Sequence, residues 1–71
     1  MTVHFHGAID RKGLEQDATI SCSDMTTVGQ LLYLIGYTAS QTRWIVPMLD
    51  GERCPLSRGL RQGDRLDVLA P

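Results

Sequence analysis

Arg61-Gln62-Gly63-Asp64-Arg65-Leu66-Asp67-Val68-Leu69-Ala70-Pro71 reads as a Gly-Asp turn feeding one strand that runs to the end of the chain. Leu66, Val68 and Ala70 fall on one face and Arg65, Asp67 and Leu69 on the other, the period of a strand buried on one side. The chain opens with the same pattern. In residues 2–8, Val3 and Phe5, followed by Ile9, share one face, while Thr2, His4, His6 and Ala8 share the other. The polar turn Asp10-Arg11-Lys12-Gly13 offers glycine for positive φ, and residues 17–23 alternate again with Ala18, Ile20 and Cys22 inward, which predicts an N-terminal hairpin.

Between these ends, Thr27-Val28-Gly29-Gln30 has the form of a capping box: the Thr27 hydroxyl accepts from the amide three residues on and Gln30 reaches back. Val28, Leu31, Leu32 and Ile35 then make one apolar stripe at helical spacing, and Gly36 suits a left-handed helix end. Residues 44–49 are β-rich but contain Pro47, which lacks a ladder donor and predicts an edge strand or a bulge. Asp50-Gly51 is a strong hairpin signal, followed by a brief return strand over residues 52–54. Leu56-Ser57-Arg58-Gly59-Leu60 is expected to form one tight helical turn with two apolar anchors under the sheet. The order β, β, α, β, β, β with one amphipathic helix is an α+β pattern, a single domain over residues 1–71 with a sheet of four to five strands.

Seventy-one residues bury one core and no deep cleft, since a domain this small covers only about 60% of the surface its unfolded chain exposes. A binding module, carrier or small subunit fits that size better than an enzyme with a private pocket. The formal net charge of −1, with acidic and basic residues interleaved, argues against nucleic acid as a partner. The N-terminus has neither the basic nor the apolar region of a signal peptide, and no apolar run is long enough for a membrane span, so the cytoplasm is the expected compartment. Cys22 and Cys54 are too few and too far apart for a disulfide scaffold or a redox motif and read as buried thiols. Neither a Ser-His-Asp or Cys-His pair nor a glycine-rich phosphate loop can be placed, and no cofactor is implied. Asp10, Glu15 and Asp17 around the first turn read as solvated turn residues.

The element order, the helix over residues 27–36, the turn Asp50-Gly51-Glu52 and the ending Gly63-Asp64-x-Leu66-x-Val68-x-x-Pro71 together resemble the ThiS/MoaD family of ubiquitin-like sulfur carrier proteins. The likeness spans nearly the whole chain and rests on the order and spacing of short motifs. It implies a ubiquitin-like β-grasp, with the first and last strands paired in parallel at the sheet centre and the helix packed across one face. It also implies a function in cofactor biosynthesis: an adenylating, E1-like enzyme activates the terminal carboxylate, which then receives sulfur as a thiocarboxylate. Pro71 matches the proline that closes the family's last strand, and it is the point where the family's working tail attaches. Family members continue a few residues further and end in Gly-Gly, because a side-chain-free tail can thread a narrow channel. This chain as it stands lacks those glycines. The alternative expectation is a non-carrier β-grasp subunit or adaptor that binds a larger enzyme subunit noncovalently.

Both readings need a partner-binding face, and pairing of the end strands would put His4, His6, Asp67 and Leu69 together on the side away from the helix. Leu69 there would serve as an apolar anchor beside the exit of the tail. His4-x-His6 is also a spacing that can hold a metal with Asp67 as third ligand, but two exposed strand histidines are the simpler reading, and no metal is assigned. Trp44 and Tyr37 flank the entry to the third strand, and Trp44 is expected to pack in the core.

Overall fold

Among the residues described by the computed structural model, 1–21 and 26–70, five strands form one mixed sheet accompanied by two short helices. The strands are β1 (Thr2–His6), β2 (Asp17–Thr19), β3 (Val46–Leu49), β4 (Glu52–Arg53) and β5 (Arg65–Leu69), and the helices are α1 (Val28–Ile35) and α2 (Ala39–Thr42). Across the sheet the order is β2-β1-β5-β3-β4. β1 and β5 run parallel, from Thr2 opposite Arg65 to His6 opposite Leu69, while the other pairings are antiparallel.

Alternation decides what this ladder buries. Val3, Phe5, Leu66 and Val68 point to one side and are almost fully excluded from water, where they meet Val28, Leu31 and Leu32 of α1 in one cluster. Tyr37, Ile45, Leu49, Cys54 and Leu60 extend that cluster, and Ile9, Leu14, Ile20 and Ile35 pack on its margin.

The N-terminus of α1 shows why this helix starts where it does. The Thr27 hydroxyl accepts from the Gln30 amide at 3.2 Å and the Gln30 side-chain carbonyl accepts from the Thr27 amide at 2.9 Å, the capping box expected from the sequence. The loop before β5 supplies two more acceptors: the Val28 amide donates to the Arg58 carbonyl at 2.9 Å and the Gly29 amide to the Leu56 carbonyl at 2.8 Å. A Cβ at residue 29 would lie 3.3 Å from that same carbonyl oxygen and from Leu56 Cβ, a tight contact that the loop would have to relieve by a few tenths of an ångström. At the other end Gly36, with φ of 124°, donates to the carbonyls of Leu32 and Tyr33.

Several sequence expectations change. A second capping box, Thr38 with Gln41, starts α2, so the expectation of one helix becomes two. β1 ends at His6, with Gly7 in a positive-φ turn, rather than continuing to residue 8. Pro47 lies on a penultimate strand, not at an edge or a bulge. Its carbonyl accepts from Cys54, so its missing donor faces the side where two-residue β4 gives out, and the ladder to β5 loses nothing. Residues 56–60 form an irregular loop rather than a helical turn; Leu60 is buried but Leu56 is exposed. Asp50 and Gly51 both take positive φ in the β3–β4 turn, as a two-residue hairpin with right-handed strands requires. Cys54 is a buried thiol, whereas Cys22 and Pro71 lie outside the described residues.

Leu66→Ala, at the centre of the buried face, is expected to cost about 2–5 kcal/mol, against about 1 kcal/mol for Thr27→Ala, which removes only the cap. Urea titration of the two variants checks the ranking; a Leu66→Ala cost as small as that of the cap would mean that the end strands do not carry the core.

Candidate functional site on the open sheet face

The face of the sheet opposite α1 has no layer of helix over it. Strand pairing arranges its side chains in rows. Asp17 of β2, His4 of β1, Asp67 of β5, Met48 of β3 and Arg53 of β4 form one row across all five strands. His6, Leu69 and Val46 form the next. All four residues expected at a partner face, His4, His6, Asp67 and Leu69, are therefore brought together, each half-buried.

Two histidine–carboxylate couples tie these rows together: His4–Asp17 lies within the first, and His6–Asp67 joins the second to it. His4 Nδ1 lies against Asp17 Oδ1, and His6 Nε2 is 2.9 Å from Asp67 Oδ1. An ionised carboxylate only accepts, so each imidazole must donate through the named nitrogen, which sets His4 and His6 as opposite tautomers when neutral. The rings meet edge to face with centroids 4.4 Å apart. Arg65 Nε donates to the same Asp67 oxygen at 3.4 Å, so that carboxylate is shared by two donors. The hydrogen bond from His4 holds the Asp17 carboxyl below its usual range, with weaker help from the charges of His4, Arg65 and His6.

Asp17, which opens the second strand as expected, has a partner that sequence reasoning missed. It is exposed, but it stands on β2 directly opposite His4 rather than in the turn. The signal was present in the hairpin: once Val3 faces Ala18, the antiparallel count puts position 4 against position 17.

Asp67 is occupied by His6 and Arg65, and among the described residues no three His, Cys, Asp or Glu side chains form a metal-binding group. Among the described residues of this face none is a cysteine or serine. The Cys54 sulfur is turned to the Pro47 carbonyl, and burial pushes its thiol pKa up. The couples orient their side chains on an open face that does not exclude water.

Where β5 ends, a shallow groove of 220 Å³ lies beside Ala70, lined by Ile9, Tyr37, Trp44 and Ile45 among others. Tyr37 is buried, and its hydroxyl donates to the Asp10 carbonyl. Asp10 in turn accepts from the Lys12 amide and pairs with Lys12 Nζ at 3.3 Å, while that ammonium sits 5.6 Å from the Tyr37 ring centroid. This corner ties the β1–β2 connection to the end of α1. Trp44, expected in the core, is 70% exposed at the rim of the groove. It follows the turn after α2, outside the alternation of β3, so nothing fixes its ring on the buried side.

No helix among the described residues is long and apolar enough to cross a membrane. Comparison with protein-family models, with curated proteins and with solved structures finds no match.

The lowered Asp17 pKa has a direct consequence. Its contribution is fully present above the unfolded carboxylate range, near pH 4, and is lost as pH falls through the lower folded value. Wild-type protein should therefore lose more stability between about pH 4 and pH 2 than Asp17→Asn. Urea midpoints measured at each pH read this out, and parallel pH profiles for the two proteins would show that the His4–Asp17 couple contributes nothing.

Proposed function

We propose that this chain is a ubiquitin-like β-grasp carrier of the ThiS/MoaD type, a protein substrate rather than an enzyme, working in cofactor biosynthesis in the cytoplasm. The observation that carries the reading is the parallel β1–β5 ladder. It sets the chain's last strand at the centre of the sheet and leaves Ala70 exposed at the rim, so whatever follows is presented outward from a rigid base. Support also comes from the open face beside that exit, where Leu69, Val46 and Met48 offer apolar contact among oriented polar groups. Interfaces with partner enzymes use that mixture of apolar anchor and polar rim.

In this reading the partner is an adenylating enzyme of the E1-like kind. A terminal carboxylate oxygen attacks the α-phosphorus of ATP and expels pyrophosphate. The resulting acyl adenylate is attacked at its carbonyl carbon by the terminal sulfur of a partner's persulfide, and AMP leaves. A thiol then cleaves the S–S bond, leaving the thiocarboxylate on this chain and a disulfide on the donor side. Val3, Phe5, Leu66 and Val68 hold the strand that bears the tail, while His4, His6, Asp67 and Leu69 meet the partner.

Intact mass of the native protein, before and after incubation with ATP, a persulfide donor and the candidate activating enzyme, tests the reading. The expected result is a chain extending past Pro71 to two glycines that exchanges one oxygen for sulfur, with Leu69→Arg folded but unmodified. A mass that ends at Pro71 and never changes would make the protein a noncovalent β-grasp subunit instead.

A further inference from the structure

β2 is an edge of the sheet, and its backbone is open on one side. The Phe5 amide donates to the Gln16 carbonyl at 2.9 Å, and the Ile20 amide and carbonyl both bond to Met1, each at 2.9 Å. In an antiparallel ladder alternate residues face the partner, so Gln16, Ala18 and Ile20 serve β1 while the N–H and C=O groups of Asp17 and Thr19 point away from the sheet. Both residues are exposed, and none of their backbone groups is bonded to another described residue. Spaced two residues apart, these groups are the half-ladder that an added strand completes.

A second observation concerns the side chains next to that edge. A groove of 310 Å³ lies there, lined by Leu14, Ile20, Leu31, Leu34 and Ile35 with Ser21. Leu34 roofs it from α1 and is 73% exposed. The opposite edge of the sheet differs: β4 has two residues, and the groove beside it is lined by the charged Asp50, Glu52, Arg53 and Arg58 together with Leu49 and Cys54. Among the described residues, only the β2 side combines free backbone with a mostly aliphatic groove.

We propose that the β2 edge and the groove under Leu34 bind an extended peptide segment of a partner as a sixth strand, with aliphatic residues at alternate positions and basic residues between them. The hydrogen bonds of Asp17 and Thr19 require an extended backbone. Positions of the guest that lie level with Ala18 and Ile20 face α1, so they carry the aliphatic side chains that cover Leu34. Positions level with Asp17 face the other way, next to two exposed acids, Glu15 and Asp17, which favour lysine or arginine there. This surface is separate from the exit of β5 and does not depend on the carrier reading.

The probe is a synthetic peptide alternating valine and lysine, titrated into isotope-labelled protein and followed by amide chemical shifts and hydrogen exchange. The expected result is shift changes confined to β2 and α1, with new protection of the Asp17 and Thr19 amides. Two N-methylated versions, blocking one or the other edge of the peptide, should differ: one loses binding and the other keeps it. Leu34→Ser, at an exposed position that leaves the core intact, should abolish the shifts, and so should Thr19→Pro, which removes an outward donor without touching the β1 ladder. Absence of shifts, shifts on the open face, or equal binding of both methylated peptides would overturn the proposal. Self-association of the protein alone that Leu34→Ser removes would overturn it too, in favour of edge-to-edge pairing of two copies.

Discussion

The parallel pairing of β1 with β5 is the constraint on which the rest of the molecule depends. Two parallel strands cannot be joined by a hairpin, and here they are the first and last strands described, so all the intervening elements must be arranged as a return path. Such a ladder is the least local contact the sequence can form, and its closure entropy must be offset by what it buries. The alternation of Val3 and Phe5 against Leu66 and Val68 supplies that burial under α1. The capped start of α1 and the loop carbonyls of Leu56 and Arg58 then hold the helix over the ladder, because the loop that caps it leads directly into β5.

The same ladder places the chemistry of the open face. Side chains alternate with period two, so a shift of one residue between β1 and β5 would turn Leu66 and Val68 to water and Asp67 into the core. The buried face therefore sets the register, and the register sets the 2.9 Å contact of His6 with Asp67 and the row from Asp17 to Arg53. Side-chain bonds on that face orient groups that packing has already placed. A domain of this size has little room to enclose a pocket, and its distinctive groups are displayed on a face and an edge.

What could be read in the sequence follows from this hierarchy. Parity along a strand is a local property, so the inward and outward residues of β1 and β5 were legible, as was the gathering of His4, His6, Asp67 and Leu69. The Thr27–Gln30 box was legible because its chemistry lies within four residues. Thr38 and Gln41 repeat that box, but no apolar stripe follows it, and a four-residue helix leaves no periodicity to find. Pro47 was misplaced for a different reason. Its missing donor restricts one side of a strand only, and which side faces a ladder is decided by the partner strands, which periodicity does not name. Asp17 required the hairpin register, and Trp44 lay between elements, where neither period applies.

The open face and the β2 edge can serve different partners because the sheet order separates them. β5, which carries the chain end, is two strands from β2, about 10 Å at the usual strand spacing. A protein gripping the residues beyond Ala70 would approach along the axis of β5, at the end where it leaves the sheet beside His6. The groove under Leu34 opens on the helix side, past the margin of the sheet, and Asp17 and Thr19 present their backbone groups in the plane of the sheet rather than from either face. The sheet separates the histidine–aspartate rows from that groove. Only Asp17 belongs to both: its carboxylate holds His4 on the open face while its backbone forms part of the free edge. A strand added there would bring its own side chains up against this couple, which makes Asp17 the one residue through which the two surfaces touch.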